Sequence, residues 1–125
     1  RLDADTTGVL LITNDGQFNH RMTSPKHKVD KIYRATLKHA ADPSLCAQLQ
    51  AGVLLHDDNE TVAAQAAELH DAYTLILTIR EGKYHQVKRM VAAAGNRVEH
   101  LHRLQFGPWD TQDLQAGEWR FIRVE

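Results

Sequence analysis

With 125 residues, 42% hydrophobic and 25% charged, the chain is long enough for one core and too short for two well-formed domains. It has no apolar run near the ~20 residues that a bilayer crossing needs and no signal-peptide pattern at its start, so a soluble, cytoplasmic protein is expected. The single cysteine, Cys46, excludes an internal disulfide and reads as a small buried hydrophobe, and the net charge of -1 gives no overall attraction for a polyanion.

The chain opens at Arg1-Leu2-Asp3, without a methionine or a lead-in strand, and is read as a piece of a longer protein. Val9 to Thr13 is a continuous apolar run closed by Asn14-Asp15-Gly16, the pattern of a buried strand and a tight turn. A short helix is expected from Gln17 to Met22, before Ser24-Pro25. Lys31 to His39 alternates, with Tyr33, Ala35 and Leu37 on one face, and reads as a half-exposed strand. Asp42 or Ser44 is placed to cap a helix reaching about Gln50, with Gly52 as its stop. Val62 to Leu69 and Tyr73 to Arg80 read as two strands, Tyr84 to Ala94 as a helix stopped by Gly95-Asn96, and Arg97 to Phe106 and Glu118 to Val124 as two further strands. The expected fold class is α+β: a largely antiparallel mixed sheet with a few packed helices.

Charge is unevenly distributed. Arg21 to Lys38 holds six basic residues against one acid, and Lys83 to Arg103 five against one, whereas Ala40 to Gly82 holds seven acids and one arginine. Such asymmetry predicts a positive face opposite an acidic one, suited to a nucleic acid. In the last helix, Tyr84, Val87, Met90, Val91, Ala92 and Ala94 share an apolar arc at ~100° per residue, and Lys88 falls inside it. An ammonium there either finds a carboxylate or lays its stem on the apolar surface with its head in water. His85 and Arg89 flank the arc on the polar side, where the helix start favours phosphate.

The carboxylates that precede the first strand are Asp3 and Asp5. Their spacing does not make a calcium loop, because Thr7 and Asn14 stand at the fifth and twelfth positions. His100 and His102 form a close pair with no third ligand beside them, so no metal site is expected. No phosphate-binding glycine loop or dinucleotide fingerprint is present in the sequence.

Arg1-Leu2-Asp3, Thr6-Thr7-Gly8, the aliphatic run and Thr13-Asn14-Asp15-Gly16 together resemble the catalytic signature of the RsuA-like pseudouridine synthases. Lys31-Ile32-Tyr33 is similar to that family's K-x-Y strand, and the stretch from Glu81 to Met90 (EGKYHQVKRM) to its later helix-opening motif. The similarity continues through Leu101-His102-Arg103 and Gly117-Glu118-Trp119-Arg120, and Thr23 to His27 is closer to the small-subunit branch. The resemblance implies that residues 1–125 form the catalytic domain of a uridine isomerase, without the S4-like RNA-binding domain or the first stretch of the catalytic sheet. It implies Asp3 as the essential carboxylate, Tyr33 against the uracil face and Lys88 paired with Asp3. Arg1 would hold the displaced nucleotide, and Lys26, Lys28, Lys83, His85, Gln86 and Arg89 would meet the RNA. The implied partner is ribosomal RNA, 16S rRNA or a small-subunit assembly particle, and no cofactor or metal is called for. Two other classes remain to be told apart from this one. A non-catalytic RNA-binding module would tolerate Asp3→Asn, and a hydrolase using Asp3 with His85 would release a free base or sugar.

Overall fold

Alternation at Lys31, Tyr33, Ala35 and Leu37 buries one face of the strand β2 (Lys31–Leu37), which becomes the middle of the sheet in the computed structural model. The structure describes residues 2–24, 26, 28–111 and 113–123. β2 pairs antiparallel with β6 (Thr74–Ile79) on one side and with β7 (Val98–Phe106) on the other. β5 (Ala66–Asp71) follows β6, and the two-residue β1 (Thr7–Gly8) runs parallel to β7 at the opposite edge, giving the order β1-β7-β2-β6-β5. β3 (Val53–Leu55) and β4 (Glu60–Val62) form a separate hairpin, and β8 (Trp109–Asp110) turns back on the end of β7. The α+β class and the largely antiparallel sheet are as expected.

Three helices complete the fold. α1 (Gly16–Thr23) starts at Asp15, whose carboxylate accepts from the amides of Gln17 and Phe18. Asp42 caps α2 (Pro43–Ala51), Pro43 occupies its first turn, and Gly52 ends it at φ 115°. α3 (Gln86–Ala93) is followed by Gly95 at φ 91°. α2, α3 and the β3–β4 hairpin pack with one face of the sheet, sealing Leu49, Leu75, Leu77, Ile79, Met90 and Val91. Each such side chain contributes about 2 kcal/mol by leaving water. Cys46 is buried among them, and burial pushes its thiol up. No described helix is long and apolar enough to cross a membrane.

Four expectations need correction. In the run from Val9 to Thr13 only Val9 is buried; pairing stops at Gly8, and Leu10 and Ile12 are 51% and 88% exposed. A continuous apolar run signals burial on two faces, and among the described residues one side of this run has no strand to cover it. The turn after it is the cap of α1. The single strand expected from Val62 to Leu69 is two, because the amide of Ala64 bonds to the Leu49 carbonyl (2.8 Å) and draws the chain onto α2 between β4 and β5. The last helix begins at Gln86, since His85 sits in the left-handed region at φ 47°. Residues 118–123 join no ladder, and the strand that follows β7 is instead the short β8, reached through Gly107 at φ 58°. Val124 lies outside the described residues.

Candidate active site

Asp3 lies in the turn that leads into β1, closed by a bond from the Thr6 amide to the Asp3 carbonyl (3.0 Å). What fixes this turn is β7. The amide of Val9 bonds to the Arg103 carbonyl (3.0 Å), and Arg103 returns a bond from Nε to the Val9 carbonyl (2.9 Å). Gly8 has φ 110°, and a Cβ on it would stand 2.1 Å from the Arg103 carbonyl oxygen, so the approach requires glycine. Thr7 Oγ1 is 2.7 Å from His102 Nδ1 and 3.5 Å from His100 Nε2. Burial, followed by the nearby Arg34 and His100, lowers the pKa of His102. The histidine pair therefore anchors the turn, and among the described residues no group of three or more His, Cys, Asp or Glu side chains could hold a metal ion.

α3 supplies the other half of the site. Val87, Met90 and Val91 are buried, which orients Lys88 toward the turn: its ammonium lies 2.8 Å from Asp5 Oδ1 and 3.2 Å from Asp3 Oδ2. The hydrogen bond to Asp5, opposed by partial burial and reinforced by Asp3, raises the pKa of Lys88. The same bond holds the Asp5 carboxyl below its ordinary value. His85 Nε2 is 3.6 Å from Asp3 Oδ1, an ion pair when the imidazole is protonated. Its left-handed backbone costs about 1–2 kcal/mol for a residue with a Cβ. The resulting carboxylate faces an ammonium and an imidazole while remaining partly open to solvent, a setting in which it can act as nucleophile or base.

The loop before α3 is braced from beneath. Lys31, only 8% exposed, donates to the carbonyls of Arg80 (3.2 Å) and Glu81 (3.3 Å) and lies 5.6 Å above the Phe106 ring. Burial, aided by the charge of Arg103, lowers its pKa. Gln86, expected at the RNA surface, is 4% exposed and turned inward: it accepts from the Lys83 amide (3.1 Å) and donates to Glu81 Oε1 (2.9 Å). Tyr33 is buried in the core on the pairing row Leu77, Tyr33, Arg103, Gly8, which ends at the strand carrying the Asp3 turn.

The expected separation into a positive and an acidic face is not what folding produces. Lys83 bonds Glu60 (2.7 Å) and Arg89 meets Asp58 (3.1 Å), so acids of the middle segment neutralise two cations beside the site, while Arg80, the one arginine of that segment, bonds Asp30 (2.7 Å) of the first basic stretch. Lys26 and Lys28 are exposed, and neither is ion-paired among the described residues. Arg1 lies outside the described residues. Two open surface concavities, one beneath α2 near Asn96 and one between the β3–β4 turn and Arg89, do not include Asp3.

A family model described as RNA pseudouridylate synthase matches residues 1–93, the span from the Asp3 turn through α3. The chain belongs to this family. Among curated relatives of the pseudouridylate synthases, it is 48% identical over 128 residues to "Ribosomal small subunit pseudouridine synthase A" of Vibrio vulnificus, covering 100% of this chain and 55% of the relative. It is 46% identical to the protein of the same name from Haemophilus influenzae, covering 96% and 52%. A solved structure described as "Crystal structure of pseudouridylate synthase" superposes with a TM-score of 0.91 at 45% identity, over 98% of this chain and 54% of that one. The chain thus spans about half the length of the pseudouridylate synthases it matches. Within this family's fold, sequence reasoning located Asp3, Lys88 and His85 but missed Asp5 as a second partner of Lys88. The available signal was two carboxylates two residues apart in one turn, facing a single lysine.

Proposed function

We propose that this chain is the catalytic part of a cytoplasmic enzyme that isomerises a uridine to pseudouridine in the 16S RNA of the small ribosomal subunit. The observation that carries the reading is the Asp3 carboxylate, 3.2 Å from Lys88 and 3.6 Å from His85 at an open edge of the sheet. The target base lies within a folded RNA and is turned out of its stack to reach that edge. Asp3 acts on the ribose, as nucleophile at C1′ or as base at C2′. The bond from C1′ to N1 breaks, the uracil turns, and a bond from C1′ to C5 forms as the Asp3–C1′ bond breaks or the proton taken from C2′ returns. The C5 hydrogen leaves as a proton and N1 ends protonated, so the reaction is redox-neutral and calls for neither an electron carrier nor an activated water. Lys88 holds the carboxylate in an ion pair, and Tyr33 packs toward the uracil from the buried face. Lys26 and Lys28 are the cations best placed for phosphate, with Lys83 and Arg89 first exchanging their acidic partners.

Tritium released from 5-tritiated uridine in small-subunit rRNA tests the reading. Asp3→Asn is expected to lower release by about 1,000-fold or more, within the range of a positioned acid–base or nucleophilic group, while RNA binding persists. Equal release from both proteins removes Asp3 from the chemistry. Binding without release from either leaves an RNA-binding module.

A further inference from the structure

Tyr84 belongs by sequence to the apolar arc of α3, yet it precedes the helix and is 75% exposed. A single exposed aromatic needs no explanation by itself. Here the ring is not loose: it stacks on the His85 imidazole with centroids 3.9 Å apart and planes at 19°. Its carbonyl accepts from Arg89 Nη1 (2.9 Å), and the Arg89 amide bonds to the His85 carbonyl (2.9 Å). The Lys83 amide is tied to Gln86 on the other side (3.1 Å). One π-face of Tyr84 is therefore covered by a residue that is itself 3.6 Å from Asp3, and the ring is otherwise open to solvent.

We infer that Tyr84 is a stacking platform for the base that flanks the target uridine in single-stranded RNA, an assignment that rests on the isomerase reading above. Turning a nucleotide out of its stack strips its neighbour of a stacking partner, and a rigid aromatic face beside the reaction centre restores that contact. The geometry matches: a base on the outer face of Tyr84 extends the row of rings that runs through His85 to the Asp3 carboxylate. Stacking tolerates any base, so the platform holds the strand in place without reading its sequence.

The probe is a short oligoribonucleotide with 2-aminopurine beside its only uridine, and a second with 2-aminopurine far from it. The protein and its Tyr84→Phe variant are expected to quench the adjacent probe only. Tyr84→Ala is expected to lose the quench and to bind about tenfold more weakly, with an unchanged thermal melt because the ring is exposed. Undiminished quenching by Tyr84→Ala, equal quenching of both probes, or no quenching by the protein overturns the platform. Tritium release, compared with Asp3→Asn, is scored separately. Release together with quenching that does not depend on Tyr84 removes the platform and keeps the isomerase, whereas Tyr84-dependent quenching of the adjacent probe without release keeps the stacking contact and removes the isomerase.

Discussion

On the β6 side of the sheet, Leu75, Leu77 and Ile79 are sealed against helices, whereas on the β1 side two residues pair with β7 and Leu10 and Ile12 stand exposed. The first region is held by many interchangeable apolar contacts. The second is held by a few specific ones: the Val9–Arg103 bonds, the Thr7–His102 bond, the Gly8 approach and the Lys88 ion pairs. Asp3 sits in the second. With the proposed role of Asp3, stability and chemistry fall to different regions, and substitutions should separate them.

The largest effect on folding is expected from Leu75→Ala, which empties a fully buried position and costs about 3 kcal/mol in urea denaturation. Tritium release per folded molecule should be unchanged; a parallel loss of activity would show that the two regions are not separable. Gly8→Ala is expected to cost about 2 kcal/mol through its positive φ and the clash with the Arg103 carbonyl. Unlike Leu75→Ala, it should abolish release even where circular dichroism shows the chain folded. Activity retained in the folded variant would mean that the β1 clamp does not position Asp3.

Lys88→Met is expected to change stability less, by about 1 kcal/mol at neutral pH, because the ion pairs are partly exposed. Its pH dependence carries the information. Asp5, depressed below its ordinary 3.8 by Lys88, contributes stability above that value that is lost as pH falls through the lower folded value. Lys88, raised above 10.5 mainly by the Asp5 hydrogen bond, contributes stability that is full below 10.5 and fades as pH climbs through the higher folded value. Denaturation midpoints of the protein and Lys88→Met should thus converge at both extremes; a constant gap would place the effect in packing. The smallest change is expected from Lys28→Ala. It should weaken RNA binding evenly across sequences and reduce the salt slope by about 0.7 in a filter-binding titration.

Much of the packed region was legible because its signals are local. Alternation in β2, the Asp42 cap, the Gly52 stop and the glycine after α3 each follow from backbone rules that operate within a few residues. The apolar arc around Lys88 posed the question of its partner, and the Asp3 motif pointed to one. The divided strand between Val62 and Leu69 was not legible, since its break depends on a carbonyl of α2. Neither was the inward turn of Gln86, whose partners are Lys83 and Glu81 across a loop.

By itself the sequence determined the α+β class, the buried face of β2 and the family, and it singled out Asp3 and Lys88, whose charged groups lie 3.2 Å apart. Periodicity and motif chemistry are properties of neighbouring residues, and they survive without coordinates. Tertiary structure alone decided that Lys88 is shared between Asp3 and Asp5, that the basic and acidic segments interleave, and that Tyr84 faces water. Those outcomes depend on residues far apart in the chain, up to 95 positions for Thr7 and His102, and no local pattern encodes which of them meet.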